Sequence, residues 1–88
     1  MELVVKKPTV PEVYELTDWP VWESEPAEFD RYYDKTEVAL FTHGSVDVTF
    51  DGRTVNIGAG DLVTFPKGMH CTWRILQTVR KHFQTVDE

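Results

Sequence analysis

The second half of the chain is a series of short apolar runs: Glu37–Thr42, Ser45–Phe50, Arg53–Ile57, Leu62–Phe65, His70–Leu76 and Val79–Phe83. Each is rich in Val, Thr, Ile and Phe and predicts a β-strand. Turn residues separate them, at His43-Gly44, Asp51-Gly52, Gly58-Ala59-Gly60-Asp61 and Pro66-Lys67-Gly68. Asp51-Gly52 between two apolar runs is a strong two-residue hairpin signal. Upstream, Leu3 to Lys6 predicts a short strand that stops at Pro8. Thr9 and Glu12 then form a capping box, with Pro11 in the first turn, and Val13 and Leu16 supply one apolar stripe. That predicts a helix of one or two turns. Between Trp19 and Tyr33 aromatics are dense, but Pro20 and Pro26 do not fit a central strand, and no strand is predicted there. Short strands at this spacing make a sandwich or barrel.

Alternation along these strands singles out three residues. Glu37 shares a face with Ala39 and Phe41, which look core-facing, and a carboxylate there is costly unless paired. It is either a ligand, general base or substrate-orienting group, or one half of a buried salt bridge or a rim position. Lys81 lies between Val79 and Phe83 on one face. It either turns inward and pairs with Glu37, or guards the edge of the last strand against strand addition. Cys71 alternates with Trp73 and Ile75. It suits a small buried apolar residue better than a soft ligand or nucleophile, because a thiol without a cation beside it stays protonated, and only Lys81 offers one. His70 and His82 fall on the opposite faces and read as exterior, and His43 beside a turn glycine reads as surface. Trp19, Trp22, Tyr32, Tyr33 and Trp73 read mainly as core, with some at a pocket mouth. Strand Glu37–Thr42 also carries Val38 and Leu40 on its second face. One barrel interior buries one set only, so the other needs a cover from the N-terminal segment or a second copy. The expectation is a homodimer.

The 88 residues allow one domain, 1–88, with 9 Lys+Arg against 15 Asp+Glu and a formal charge of −6. That balance argues against nucleic acid, which needs a cationic face. No apolar run approaches a membrane span, and the N-terminus carries no signal-peptide pattern. The single cysteine forms no intrachain disulfide and suits a reducing compartment, so the expected location is cytoplasmic. Charge is unevenly spread. Nine acids fall between Glu12 and Glu37, whereas Leu62 to Val86 has none but holds Lys67, Arg74, Arg80 and Lys81. Two solvated faces of opposite sign account for this, as does an anion-binding site among the C-terminal strands.

Two spacings go further. Glu37, six residues and Gly44 resembles the end of the first cupin motif. Gly60, five residues, Pro66-Lys67-Gly68, two residues and Cys71 resembles the second. Together with Trp19-Pro20, Trp22-Glu23, Phe29-Asp30, Tyr32-Tyr33-Asp34, Trp73 and Val79 to Phe83, the chain from Lys7 to Phe83 resembles the small single-domain cupins of the cupin-3 (DUF861) family. Larger relatives in that group include ureidoglycine aminohydrolase and the cupin of ethanolamine utilisation. The resemblance implies an all-β fold, an RmlC-like jelly-roll barrel with one short N-terminal helix. It also implies a metal in many members, and here this chain departs. The histidine positions before Glu37 hold Arg31 and Tyr33, or Asp30 and Tyr32, and Cys71 stands where the second motif has histidine. Only Asp30, Glu37 and Cys71 form a conceivable three-ligand set, with Lys81 opposing a cation from the same wall. The expectation is no resident metal or cofactor, and ureidoglycine hydrolysis, which depends on that metal, does not carry over.

The sequence thus suggests a binding module. Tyr33, Glu37, Cys71, Trp73 and Lys81 would line a pocket for a small polar, anionic metabolite. The competing readings are a small enzyme acting on a nitrogenous or carbonyl metabolite with Glu37 as base, and a scaffold without a ligand.

Overall fold

The computed structural model describes residues 2–86. The elements run β1 (Val4–Lys6), α1 (Val10–Leu16), β2 (Val21–Ser24), β3 (Glu28–Tyr32), β4 (Thr36–Phe50), β5 (Arg53–Gly58), β6 (Leu62–Phe65) and β7 (His70–Val86). All pairings are antiparallel, in the order β1-β6-β4-β7-β2, with β3 on β7 and β5 on β4.

The architecture follows from two long strands, each of which serves two walls of a barrel. The first part of β4 pairs with β6 through Glu37 to Leu40, and the second part pairs with β5 through Ser45 to Phe50. Likewise β7 pairs with β3 through His70 to Arg74 and with β2 through Val79 to His82. The change of wall occurs where the β4–β7 register shifts, between Phe41 and Val46. Gly44 sits at that bend with φ +89°, and a Cβ built on it would lie 2.2 Å from the Thr78 carbonyl oxygen. Only glycine allows the two backbones to approach so closely. His43-Gly44, expected to be a turn between strands, is therefore a bulge within one strand. The expected pair His70–Leu76 and Val79–Phe83 is likewise one strand.

The hairpin forms at Asp51-Gly52, both with positive φ, as a primed turn requires. Helix α1 begins with the expected box: the Glu12 N–H donates to Thr9 Oγ1 and the Thr9 N–H to Glu12 Oε1. Strands β2 and β3 were not expected. They pair with β7 despite Pro20 and Pro26, because the prolines sit just outside each strand rather than within it.

The core fills the barrel, with Ala39, Phe41, Val63, Phe65 and Val79 on one wall and Val46, Val48, Ile57, Trp73 and Ile75 on the other. A second, smaller cluster lies outside it, where Leu16 of α1 covers Leu40 and Leu62, with Trp19 and Val38 packed alongside. This answers the two-sided strand: the chain's own N-terminal helix is the cover. Of the two covers the sequence left open, the N-terminal segment is the one in place over Leu40 and Leu62. No helix among the described residues is long and apolar enough to cross a membrane.

Candidate functional site

Glu37 and Lys81 point into the barrel from adjacent strands of one wall. Their side chains are 3% and 1% exposed, and Lys81 Nζ lies 2.5 Å from Glu37 Oε2. Strand β7 is internal, flanked by β4 and β2. That overturns the edge-guard reading of Lys81.

The ammonium is surrounded by rings. Its distances to ring centroids are 4.8 Å for Trp73, 5.1 Å for Trp22, 5.5 Å for Phe83, 5.7 Å for Phe65 and 5.9 Å for Phe41. Ring faces partly replace the water that burial removes. The replacement is incomplete. Burial, only partly offset by Glu37, brings the Lys81 pKa down from 10.5 to about 8.

Arg31 comes from the opposite wall. It sits on β3 opposite Cys71, and its side chain is 29% exposed. One guanidinium nitrogen lies 3.5 Å from Glu37 Oε1, and Cζ stacks within 5.1 Å of the Tyr33 ring, 5.5 Å of Trp73 and 5.7 Å of Trp22. Two cations therefore share one carboxylate.

Tyr33 is held just past the end of β3. Its N–H donates to the Met69 carbonyl and its own carbonyl accepts from Gly68 N–H, which ties it to the Pro66–Gly68 turn. Its ring stacks on Phe65 at 4.7 Å. The Tyr33 hydroxyl and Trp73 Nε1 are buried and have no hydrogen-bond partner. Trp73 Nε1 lies near enough to the Tyr33 hydroxyl and the Cys71 thiol to favour their ionised forms slightly. It makes no bond of ordinary geometry to either. Burial dominates both groups, pushing the Tyr33 hydroxyl and the Cys71 thiol up from their ordinary values. Cys71 is thus a protonated, buried small residue and supplies no negative charge.

All five expected lining residues, Tyr33, Glu37, Cys71, Trp73 and Lys81, meet in this group. Arg31 also belongs to it, which the sequence reading does not anticipate, and Trp22, read as core or pocket mouth, packs against both cations. The signal for Arg31 was present: it lies between Phe29 and Tyr33 at the same period of two that marked Lys81 between Val79 and Phe83. That period carries meaning only on a strand, and Pro20 and Pro26 mask the strand at 28–32. Tyr32 is the reverse case. Expected in the core or a pocket mouth, it is 60% exposed and packs edge-on against exposed His70, because alternation puts it opposite Arg31.

The group does not fit the metal that cupins commonly hold. Asp30 faces outward, where it accepts from the Thr72 hydroxyl. The set Asp30, Glu37 and Cys71 is therefore split between the two sides of β3. Both Glu37 oxygens already face cationic groups. Among the described residues no three His, Cys, Asp or Glu side chains gather into a group that would hold a metal ion.

Comparison with known proteins agrees with the fold and the spacing. The family model described as the EutQ-like cupin domain matches residues 14–83. A DUF861 family protein from Thermotoga maritima is similar at 44% identity, over 97% of this chain and 100% of that one, with a TM-score of 0.92. A DUF861 protein from Pseudomonas syringae is 28% identical over 75% of this chain and 29% of its own, with a TM-score of 0.69. The EutQ protein of Clostridium difficile, 23% identical, shares the fold over 94% of this chain and 66% of its own length, with a TM-score of 0.68. No curated protein is significantly similar. A model match over residues 14–83, a near full-length relative and the barrel itself place this chain in the EutQ-like cupin (DUF861) family.

Proposed function

We propose that the chain is a binding module for a small anionic metabolite, held between Arg31 and Lys81 in the barrel. The observation that carries this reading is the charge count inside: Arg31 and Lys81 against Glu37 alone, with Cys71 protonated. An unneutralised cation in a ring-lined interior is costly, and an anion that enters offsets that cost. The unpartnered Tyr33 hydroxyl and Trp73 N–H add two donors on the same side. Arg31 favours a planar carboxylate, because its fork of N–H groups matches two oxygens at once. Glu37 as a free general base is less well supported, since Lys81 already occupies one of its oxygens.

The test is thermal shift followed by calorimetry with small mono- and dicarboxylates, each paired with its neutral amide. The expected result is stabilisation by carboxylates, loss of that response in Arg31→Gln, and none from the amides. Equal responses to acid and amide would overturn the reading.

A further inference from the structure

Lys81 does more than balance charge. It is a primary amine with one carboxylate neighbour, enclosed by five rings, and behind a guanidinium that alone among the three charged groups reaches solvent appreciably. We propose that this chain binds small 2-oxo acids by a reversible imine between Lys81 Nζ and the ligand carbonyl carbon, with Arg31 holding the ligand carboxylate. The proposal rests on the anion-site reading above and names the ligand class that the site takes.

Each part of the ligand has a counterpart. The carboxylate meets Arg31, which is held to Glu37 only by a long 3.5 Å contact and otherwise by ring faces. An incoming carboxylate gives the guanidinium a better partner, so Arg31 turns toward it and uncovers the amine. The carbonyl carbon, one bond away, then faces Lys81. The unpartnered Tyr33 hydroxyl and Trp73 N–H are donors for the carbonyl oxygen.

The step balances without a further reactant. Glu37 takes a proton from the Lys81 ammonium, and the freed amine forms a C–N bond to the carbonyl carbon. The carbonyl π pair moves to oxygen, which takes the proton back from Glu37. The nitrogen gives its second proton to Glu37, which passes it to the hydroxyl. The C–O bond breaks, water leaves, and a protonated imine remains beside the Glu37 carboxylate. Nothing is oxidised or reduced. A buried lysine whose pKa lies near 8 presents far more neutral amine at neutral pH than an exposed one.

Reductive trapping tests this on the unmodified protein. The probes are pyruvate (acid and ketone), acetone (ketone only) and lactate (acid only), with sodium cyanoborohydride and peptide mass analysis. Exposed Lys6 and Lys7 are internal references. The expected result is near-stoichiometric labelling of Lys81 by pyruvate, well ahead of Lys6 and Lys7. Acetone should label Lys81 about tenfold less or lower still, the weight of one charged hydrogen bond. Lactate should compete with pyruvate, and Arg31→Gln should reduce pyruvate labelling to the acetone level. Labelling of Lys81 no faster than Lys6 and Lys7, while pyruvate and lactate both stabilise the protein, overturns the imine and leaves the anion site standing. Failure of both acids to stabilise or label overturns both readings.

Discussion

Two lysine–carboxylate pairs among the described residues are of nearly equal length and lie in opposite surroundings. Lys7 Nζ lies 2.6 Å from Asp61 Oδ1 with its side chain 77% exposed, and Lys81 Nζ lies 2.5 Å from Glu37 Oε2 with its side chain 1% exposed. Distance does not tell them apart. The surface pair exchanges water contacts for a screened attraction; if it breaks, Lys7 remains solvated and Asp61, 14% exposed, keeps its bond from the Gly58 N–H. The interior pair has given up its water entirely, so each charge depends on the other and on ring faces. Burial drives Lys81 down from 10.5 to about 8 despite the carboxylate beside it. A contact of 2.5 Å is therefore a sign of stored cost inside the barrel and of very little at its surface.

The largest effect should follow removal of the shared anion. Glu37→Gln leaves buried Lys81 and half-buried Arg31 without their shared counter-charge. We expect a loss of about 3–5 kcal/mol in chemical denaturation, the range for breaking a buried pair. Lys81→Met should cost less, because Arg31 at 3.5 Å remains to neutralise Glu37. The double change Glu37→Leu with Lys81→Met should recover most of the loss, since an apolar pair of similar volume needs no desolvation. A double variant as unstable as Glu37→Gln would show that the pair is a net stabiliser and would break the comparison.

A smaller effect is the response to pH. Lys81 binds its proton less tightly when folded, so the full penalty applies below about pH 8. From there to the ordinary value of 10.5 the unfolded chain holds more protons, and stability rises with pH. Cys71 and Tyr33 act in the other direction. Their pKa values are raised, so above 9.0 and 10.0 the unfolded chain ionises first and stability falls. The net gain is confined to about pH 8–9. Lys81→Met removes only the first contribution, since Glu37, Arg31, Cys71 and Tyr33 are retained. Wild type should gain on this variant as pH rises from 8 to 10 in urea titrations. Parallel profiles would show that Lys81 is not perturbed.

The interior pair was legible in the sequence because alternation is strict in the strands that carry it. Glu37 falls in step with Ala39 and Phe41, and Lys81 with Val79 and Phe83. Each had two readings, and what decided between them was strand order. A pattern along one strand cannot say that β7 lies between β4 and β2. Arg31 was hidden for a different reason. Pro20 and Pro26 are real breaks, but they bound β2 and β3 instead of preventing them: a four-residue strand fits between them and a five-residue strand follows Pro26. The cover over Leu40 was likewise open to two answers, and a short helix placed by Thr9 and Glu12 decided it. The cupin spacing from Glu37 to Gly44 was readable as motif. Its cause, a backbone contact with Thr78, depends on a strand that arrives more than thirty residues later.

The smallest expected effect is at Lys7. This residue ties the segment before α1 to the turn before β6, and its partner keeps another bond: Asp61 Oδ2 accepts from the Gly58 N–H at 2.8 Å. Lys7→Met therefore leaves Asp61 anchored and within reach of water. The loss should be below about 1 kcal/mol, as for most exposed pairs. Salt makes the contrast sharper. At about 1 M salt the screening length falls to about 3 Å, so the difference between wild type and Lys7→Met should vanish. The deficit of Glu37→Gln should persist, because ions do not enter the ring-lined interior to screen it. If both deficits fade together as salt rises, the barrel interior is as wet as the surface. The low pKa of Lys81 would then need another cause.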